Sequence, residues 1–313
     1  MKHIQNPELW VTIGILFSTI IFISPPDLFL FDLLQSFAFQ ALLLYGLAAI
    51  LLLIIRKWTI GSAFVGAAFL LLAYLQGHVY THIGDKTNAQ TADLRVAHFN
   101  VFVANTQYEK TLEKALATGA DLLSFQEVHS SWATFLEKHL AAAYPYYHIV
   151  AGEGSGDGIA VFARYPLCNL KTIYWEDRPN IAGDMEVADS SVHFLASHTI
   201  SPLSIARYHQ RKRHLQQITQ YLQQQDQPVL AIGDYNIVPW NRHITQLKKQ
   251  AQLADSRKGR QATFPSYLGR WGIPIDYIFH SDELNCLNFG TIQGTGSDHL
   301  GVQGAYQLRK KNS

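Results

Sequence analysis

Pro228-Val229-Leu230-Ala231-Ile232-Gly233-Asp234-Tyr235-Asn236 is the stretch on which the reading of this chain turns. A short apolar run bounded by turn-forming residues reads as a buried strand. It leads without a break into a glycine, a carboxylate, an aromatic ring and an amide, so the polar groups fall at the strand's end.

Working outward, other segments repeat the pattern. Residues 94–101, 121–125, 147–150, 158–163, 192–197 and 275–279 read as strands. Residues 106–118, 131–142 and 203–225 read as helices, the first with Leu112, Ala115 and Leu116 inward and Gly119 as its stop. Strands alternating with helices predict an α/β fold with sheets covered by helices. There is no internal repeat, and the glutamine-rich residues 216–227 read as a solvated face.

Residues before 77 are a different kind of sequence. Their acidic and basic side chains are Lys2, Glu8, Asp27, Asp32, Arg56 and Lys57, in a chain with 25 Lys and Arg and 24 Asp and Glu in all. Apolar runs occupy residues 9–23, 37–55 and 60–75. A hydrocarbon core of about 30 Å needs roughly 20 helical residues, so three transmembrane helices are expected. Arg56 and Lys57 mark the loop between the second and third as cytoplasmic, whereas Asp27 and Asp32 lie between the first and second. That orientation sends everything after the third span to the far side of a plasma (inner) membrane. The expected organisation is an anchor over 1–77, a linker over 78–93, a catalytic domain over 94–308 and a basic tail over 309–313.

The net charge of +1 lacks the basic excess with which proteins usually grip duplex nucleic acid. Cys168 and Cys286 are too few to form a disulfide framework and are expected to be separate thiols.

The chemistry lies at predicted strand ends: Asn100, Glu127, His198, Asp234, Asn236, Asp276, Asp298 and His299. Singly, each has an ordinary reading as a cap or turn residue. Together, Glu127, Asp234 and Asp298, with Asn100, offer the oxygen ligands that a hard divalent cation prefers. His198, Asn236 and His299 offer donors for a phosphate accumulating charge.

The ordered series Gln126-Glu127, Gly233-Asp234-Tyr235-Asn236 and Ser297-Asp298-His299 resembles the endonuclease/exonuclease/phosphatase superfamily, which includes abasic-site endonucleases, sphingomyelinases and inositol polyphosphate phosphatases. Tyr235 stands where phenylalanine is more usual. Gly158-Ile159-Ala160-Val161 with Arg164-Tyr165-Pro166-Leu167 is similar to a further, structural stretch. The resemblance covers residues 94–308 and implies a DNase I-like sandwich of two mixed sheets with helices outside. It implies that Glu127, assisted by Asn100, holds Mg²⁺ (Mn²⁺ being possible), with Asp298 beside the metal. Asp234 and Asn236 would orient water and hold a phosphate oxygen, and His198 would donate to the phosphate. His299, paired with Asp276, would be the acid/base histidine. Whether Asp234 or His299 removes the proton from water, and whether one metal or two take part, stay open.

The run Arg207-Tyr208-His209-Gln210-Arg211-Lys212-Arg213-His214 reads equally as a phosphate track or a solvated helix face. Asp157 reads as a turn residue, Trp175, Trp240 and Trp271 as packing rather than cleft residues, and His78, His82 and His148 as surface or satisfied histidines. The expected function is a membrane-anchored Mg²⁺-dependent phosphoester hydrolase acting on a phosphate ester or pyrophosphate near the lipid bilayer. The alternatives are an extracytoplasmic nuclease and a non-catalytic membrane interaction module.

Overall fold

A computed structural model describes residues 7–79, 92–154, 156–187 and 190–309, and its contacts divide the chain into two units, residues 1–81 and 82–313. Most of the expected linker, including His82, and the tail beyond Arg309 lie outside the described residues.

The first unit consists of α1 (Pro7–Ile23), α2 (Phe29–Gln35), α3 (Ala38–Ile54) and α4 (Trp58–Val79). The three apolar runs are therefore helical, and α2 occupies what reads in sequence as a loop. Among the described residues α4 alone is long and apolar enough to cross a membrane by itself. α2 and α3, bent by 63°, meet the same measure if taken as one broken span, and α1 is a shorter apolar helix. Polarity is inverted here, with Thr19, Asp32 and Gln35 buried while Leu44, Ile54 and Phe69 are exposed. The inward polar groups find one another: Ser18 Oγ and Tyr45 Oη lie 2.6 Å apart, and Gln35 Nε2 donates to Tyr74 Oη at 3.0 Å.

The second unit runs β1 (Leu94–Asn100), α5 (Tyr108–Ala117), β2 (Leu122–Gln126), α6 (Ser130–Leu140), β3 (Tyr146–Val150), β4 (Ile159–Ala163), β5 (Leu167–Trp175) and β6 (Arg178–Val187). It continues through β7 (Ser190–Ser197), α7 (Ile205–Leu222), β8 (Val229–Asp234), α8 (Arg242–Gln250), β9 (Leu253–Asp255), β10 (Asp276–Ser281), β11 (Leu284–Ile292) and β12 (Gly301–Leu308). Two six-stranded sheets result, ordered β11-β12-β1-β2-β4-β3 and β5-β6-β7-β8-β10-β9. Both are mixed, because β1 pairs with β2 and β7 with β8 in parallel while their other neighbours are antiparallel.

Alternation along the strands builds three apolar layers. Val96, Leu122 and Val161 of the first sheet meet Phe194, Ile232 and Ile278 of the second in the central layer. Their neighbours Ala97, Leu123 and Phe125 point outward onto Ala115, Trp132 and Leu136 of α5 and α6. On the other side Leu195, Ala231 and Tyr277 pack against Leu215, Ile218 and Leu247 of α7 and α8. Each fully buried large apolar side chain contributes roughly 1.5–3 kcal/mol, so this layering dominates the stability of the unit.

Helix α5 departs from expectation in one respect. Leu116 is exposed and Thr111 is buried instead, because Thr111 Oγ1 donates to Thr295 O at 2.7 Å and sets the rotation of the helix. Cys168 is exposed and Cys286 half-buried, both as free thiols.

Gly233 fixes how the opening stretch must be built. Its φ is +148°, and a Cβ there would lie 1.9 Å from Ser197 O and 2.4 Å from Gln126 Nε2. Gly233→Ala is expected to destabilise the second unit by about 3 kcal/mol, since forced overpacking adds to backbone strain. Thermal unfolding followed by tryptophan fluorescence checks this, and an unchanged midpoint would contradict the close packing.

Candidate active site

The eight polar residues expected at strand ends converge on one end of the sandwich. Asn100 ends β1 and Glu127 follows β2, so the parallel β1–β2 pairing sets them side by side. Asp234 ends β8, and the antiparallel register of β8 with β10 places Asp276 directly opposite it. His198 follows β7, Asn236 lies two residues past β8, and Asp298-His299 precede β12.

Two of these residues have left-handed backbones, Glu127 at φ +63° and Asn236 at φ +49°. Non-glycine residues persist there only where their surroundings over-determine them. Glu127 Oε2 accepts from Val103 N–H at 2.8 Å and Oε1 from Asn100 Nδ2 at 3.0 Å. Asn236 donates its N–H to Asp234 Oδ1 at 2.8 Å and its Nδ2 to Thr199 O at 2.8 Å.

Asp234 is the hub. Its Oδ2 accepts from Asn100 Nδ2 at 3.3 Å and Asn236 Nδ2 at 3.2 Å, and lies 3.7 Å from His198 Nε2 and 3.8 Å from His299 Nε2. His299 Nδ1 donates to Asp276 Oδ2 at 3.0 Å, and His98 Nε2 is 3.4 Å from Asp276 Oδ1. A cleft of about 260 Å³ opens over Glu127, His198, Asp234, Asn236, Asp298 and His299, with Arg178 and Arg207 also on its walls.

Burial and the opposed carboxylate of Asp276 push the Asp234 carboxyl far above its ordinary range. Burial acts on Asp276 in the same sense, but the His299 and His98 imidazoles outweigh it and hold that carboxyl well below. Burial likewise pulls His299 down, yet Asp276, Asp234 and Asp298 together raise it to about 10. His198 goes the other way: burial, reinforced by Arg178, lowers it to about 3, so its imidazole is neutral at physiological pH.

Two overlapping sets could hold a cation. Asp234, Asp276 and His299 offer ligand atoms all within 4.8 Å of one another, although His299 Nδ1 is already engaged by Asp276. The other set is Glu127, Asp298 and Asp234 with Asn100. Asp298 Oδ1 is buried without a hydrogen-bond partner among the described residues, as an oxygen awaiting a cation would be. Carboxylates and an amide crowded together with so few balancing cations fit a hard divalent ion.

Several supporting residues take places that the sequence does not specify. Arg178, on β6, lines the cleft and donates to Gly156 O at 3.0 Å. Arg211 is buried and donates from Nη1 to Asn236 O. The basic run thus divides: Tyr208, Arg211 and His214 turn inward, Arg207 reaches the cleft, and Arg213 pairs outside with Glu176 at 2.6 Å. A spacing of three along a helix was the available signal. Gln126 and His98, inward-facing polar residues on buried strands, complete the support. Asp157, read as a turn residue, has a buried Oδ1 with no hydrogen-bond partner among the described residues and draws on Arg178 electrostatically. Trp240 is buried, Trp175 stacks edge-on with His214, and Trp271 is exposed, none lining the cleft. His78 contacts Tyr74 O, and His148 contacts Thr172 Oγ1.

The profile of the endonuclease/exonuclease/phosphatase family matches residues 97–299, well over half of the chain. The chain belongs to that family. Its members are phosphoester-cleaving hydrolases that generally depend on a divalent metal, so this chain is an enzyme of that class and the non-catalytic alternative falls. Among curated proteins none matches in sequence. Solved structures share the fold. TDP2 of D. rerio, complexed with a single-stranded DNA product, is 14% identical with a TM-score of 0.59, covering 69% of this chain and 99% of that one. The human Nocturnin catalytic domain, with a bound sulfate, is 19% identical at 0.55, covering 69% and 94%. Sphingomyelinase C of Streptomyces griseocarneus is 18% identical at 0.52, covering 68% and 98%.

His214, behind the site, is held down to about 3 by burial, reinforced by His198, and its Nε2 meets Asn180 Oδ1 at 3.0 Å. The unfolded chain therefore binds a proton near the ordinary value of 6.5 that the folded protein refuses. Stability from this group is full above about pH 6.5 and falls as pH drops toward 3, by about 2 kcal/mol at pH 5. His214→Gln is expected to flatten the loss of thermal stability between pH 7 and 5. An unchanged slope would contradict the neutral, buried imidazole.

Proposed function

We propose that the protein is a membrane-anchored, Mg²⁺-dependent hydrolase that attacks a phosphate ester or pyrophosphate at a membrane surface, using water as nucleophile. The observation that carries the chemistry is the convergence of Glu127, Asp234, Asp298 and His299 on one cleft, with Asp276 buried behind His299 as its partner. The inverted polarity of the first unit supports the anchor, since apolar side chains outside and mutually satisfied polar ones inside suit hydrocarbon rather than water. Arg56 and Lys57, at the turn between α3 and α4, support placing that turn in the cytoplasm and the catalytic unit across the plasma (inner) membrane.

In this reading Glu127, Asn100 and Asp298 hold the metal, which when bound supplies charge neutralisation on the phosphate and acidifies water. Asp234, raised by burial and fixed by Asn236 and Asn100, takes the proton from the attacking water. His299, kept cationic by three carboxylates, donates toward the phosphate or the leaving oxygen, and Asp276 fixes its orientation. His198 contributes a neutral N–H to a non-bridging oxygen.

Glu127→Gln keeps the shape and removes the charge. It is expected to reduce metal-dependent turnover by on the order of 100-fold or more while leaving the thermal midpoint near that of the parent. Full activity in that variant would remove Glu127 from the metal site. The substrate question is answered by full-length protein in lipid, offered lipid-linked phosphates, simple diesters, and single- and double-stranded DNA, each with Mg²⁺ and with EDTA. Mg²⁺-dependent release from lipid-linked substrates is the expected result; cleavage of DNA alone would make the protein an anchored nuclease.

A further inference from the structure

Eight large apolar side chains are exposed among the described residues of the catalytic unit, and five of them sit on two short segments at the cleft. Leu203 and Ile205, 72% and 63% exposed, lie between the cleft-lining residues Ile200, Ser201 and Arg207. Tyr267, Leu268 and Trp271, at 82%, 44% and 48%, belong to a 3-10 turn (Ser266–Trp271) that follows the cleft-lining Phe264. That turn is tied to the site itself, because Ser266 N–H donates to Asp298 O at 2.6 Å and its Oγ to Ser297 O at 2.8 Å.

Apolar side chains concentrated on the rim of a reaction site mark a surface that meets something apolar. Charge narrows what that is. Residues 199–207 and 265–271 contain no acidic side chain, and each carries one exposed arginine, Arg207 on one and Arg270 on the other. Arg270 lies 5.0 Å over the Trp271 ring. Exposed aromatic and aliphatic side chains beside basic groups suit the boundary between headgroups and acyl chains of an anionic bilayer. A net charge of only +1 lacks the general basic excess with which proteins usually grip nucleic acid.

We infer that these two segments are membrane-inserting lips that seat the cleft mouth on an anionic lipid surface, so that the scissile phosphate is presented from the headgroup layer. The inference rests on the hydrolase reading for what the cleft does, but the insertion itself is measured without turnover.

The test uses the full-length protein carrying Cys168→Ser and Cys286→Ser, with Leu203→Cys or Tyr267→Cys labelled by a polarity-sensitive fluorophore. Tyr174→Cys, an exposed position on β5, is the control, and Leu268→Cys replaces Tyr267→Cys if that variant fails to fold. The protein is reconstituted in phosphatidylcholine vesicles with and without 30% phosphatidylglycerol, about a third being ample to create a negative surface. Blue-shifted emission and quenching by chain-labelled lipid at residues 203 and 267, but not 174, in the anionic vesicles is the expected result. Arg270→Gln should lower the ratio of inserted to free lips about fivefold, the effect of one basic group near an anionic surface. Emission typical of water at both lips would overturn the inference, and equal insertion in neutral vesicles would overturn its anionic part. If the lips insert yet only DNA is cleaved, the hydrolase reading fails while the docking surface stands. If lipid-linked phosphates are hydrolysed with both lips in water, the reverse holds.

Discussion

Gln126 ends β2 in the first sheet, but both ends of its amide are used by the second. Nε2 donates to Ser197 O at 2.7 Å and Oε1 accepts from Asp234 N–H at 2.9 Å. An unsatisfied buried amide costs roughly 1–3 kcal/mol, so the two sheets are held in one relation at the end where the carboxylates gather. Gly233 leaves the room that this amide occupies. Across the central layer the sheets meet through apolar packing, which tolerates small slips; at this end they meet through hydrogen bonds, which do not. The positions of Glu127, next in sequence to Gln126, and of Asp234 follow from that joint.

The same joint creates an electrostatic problem. Asp234 and Asp276 face each other across two antiparallel strands in a buried place, where like charges strongly disfavour one another. His299 and His98 flank Asp276 and stabilise its charge, while amides from Asn100 and Asn236 serve Asp234. One carboxyl is thereby driven down and its partner up, a separation of roles that acid and base groups require. Removing any one of these neighbours would leave a buried carboxyl with half of its support.

Six of the eight polar residues are legible because they sit at or beside apolar strands, as at residues 228–236 and 122–127, whereas Asp298-His299 precede β12 and stand out only through the family-like Ser297-Asp298-His299 motif. The pairing of His299 with Asp276 was open to inference through family likeness, although 23 residues separate the two in the chain. Strands β5, β6, β9, β11 and β12 are not legible in the sequence. β6 contains Pro179, Asn180, Gly183 and Asp184, and β12 contains Gly301 and Gly304, residue types that locally oppose strands. Pairing with β7 and β1 respectively overrides that preference, and pairing partners lie outside any local window. Arg178 escaped notice for the same reason, since its place at the cleft depends on where β6 docks. Arg211 was seen but its direction was not: in a run so rich in basic groups, the inward stripe of Tyr208, Arg211 and Leu215 is masked by its charged neighbours.

The order in which the chain supplies its site residues has a bearing on biogenesis. A nascent chain made only as far as β10 already holds Glu127, Asp234 and Asp276, but neither Asp298 nor His299, which follow β11. Such a chain has two opposed carboxylates and lacks one of the two imidazoles that steady Asp276. It also lacks β12, the strand that joins β1 to β11 in the first sheet. The buried cluster is therefore completed only when the last strands of the second unit have been made, so it forms late in synthesis and as a whole.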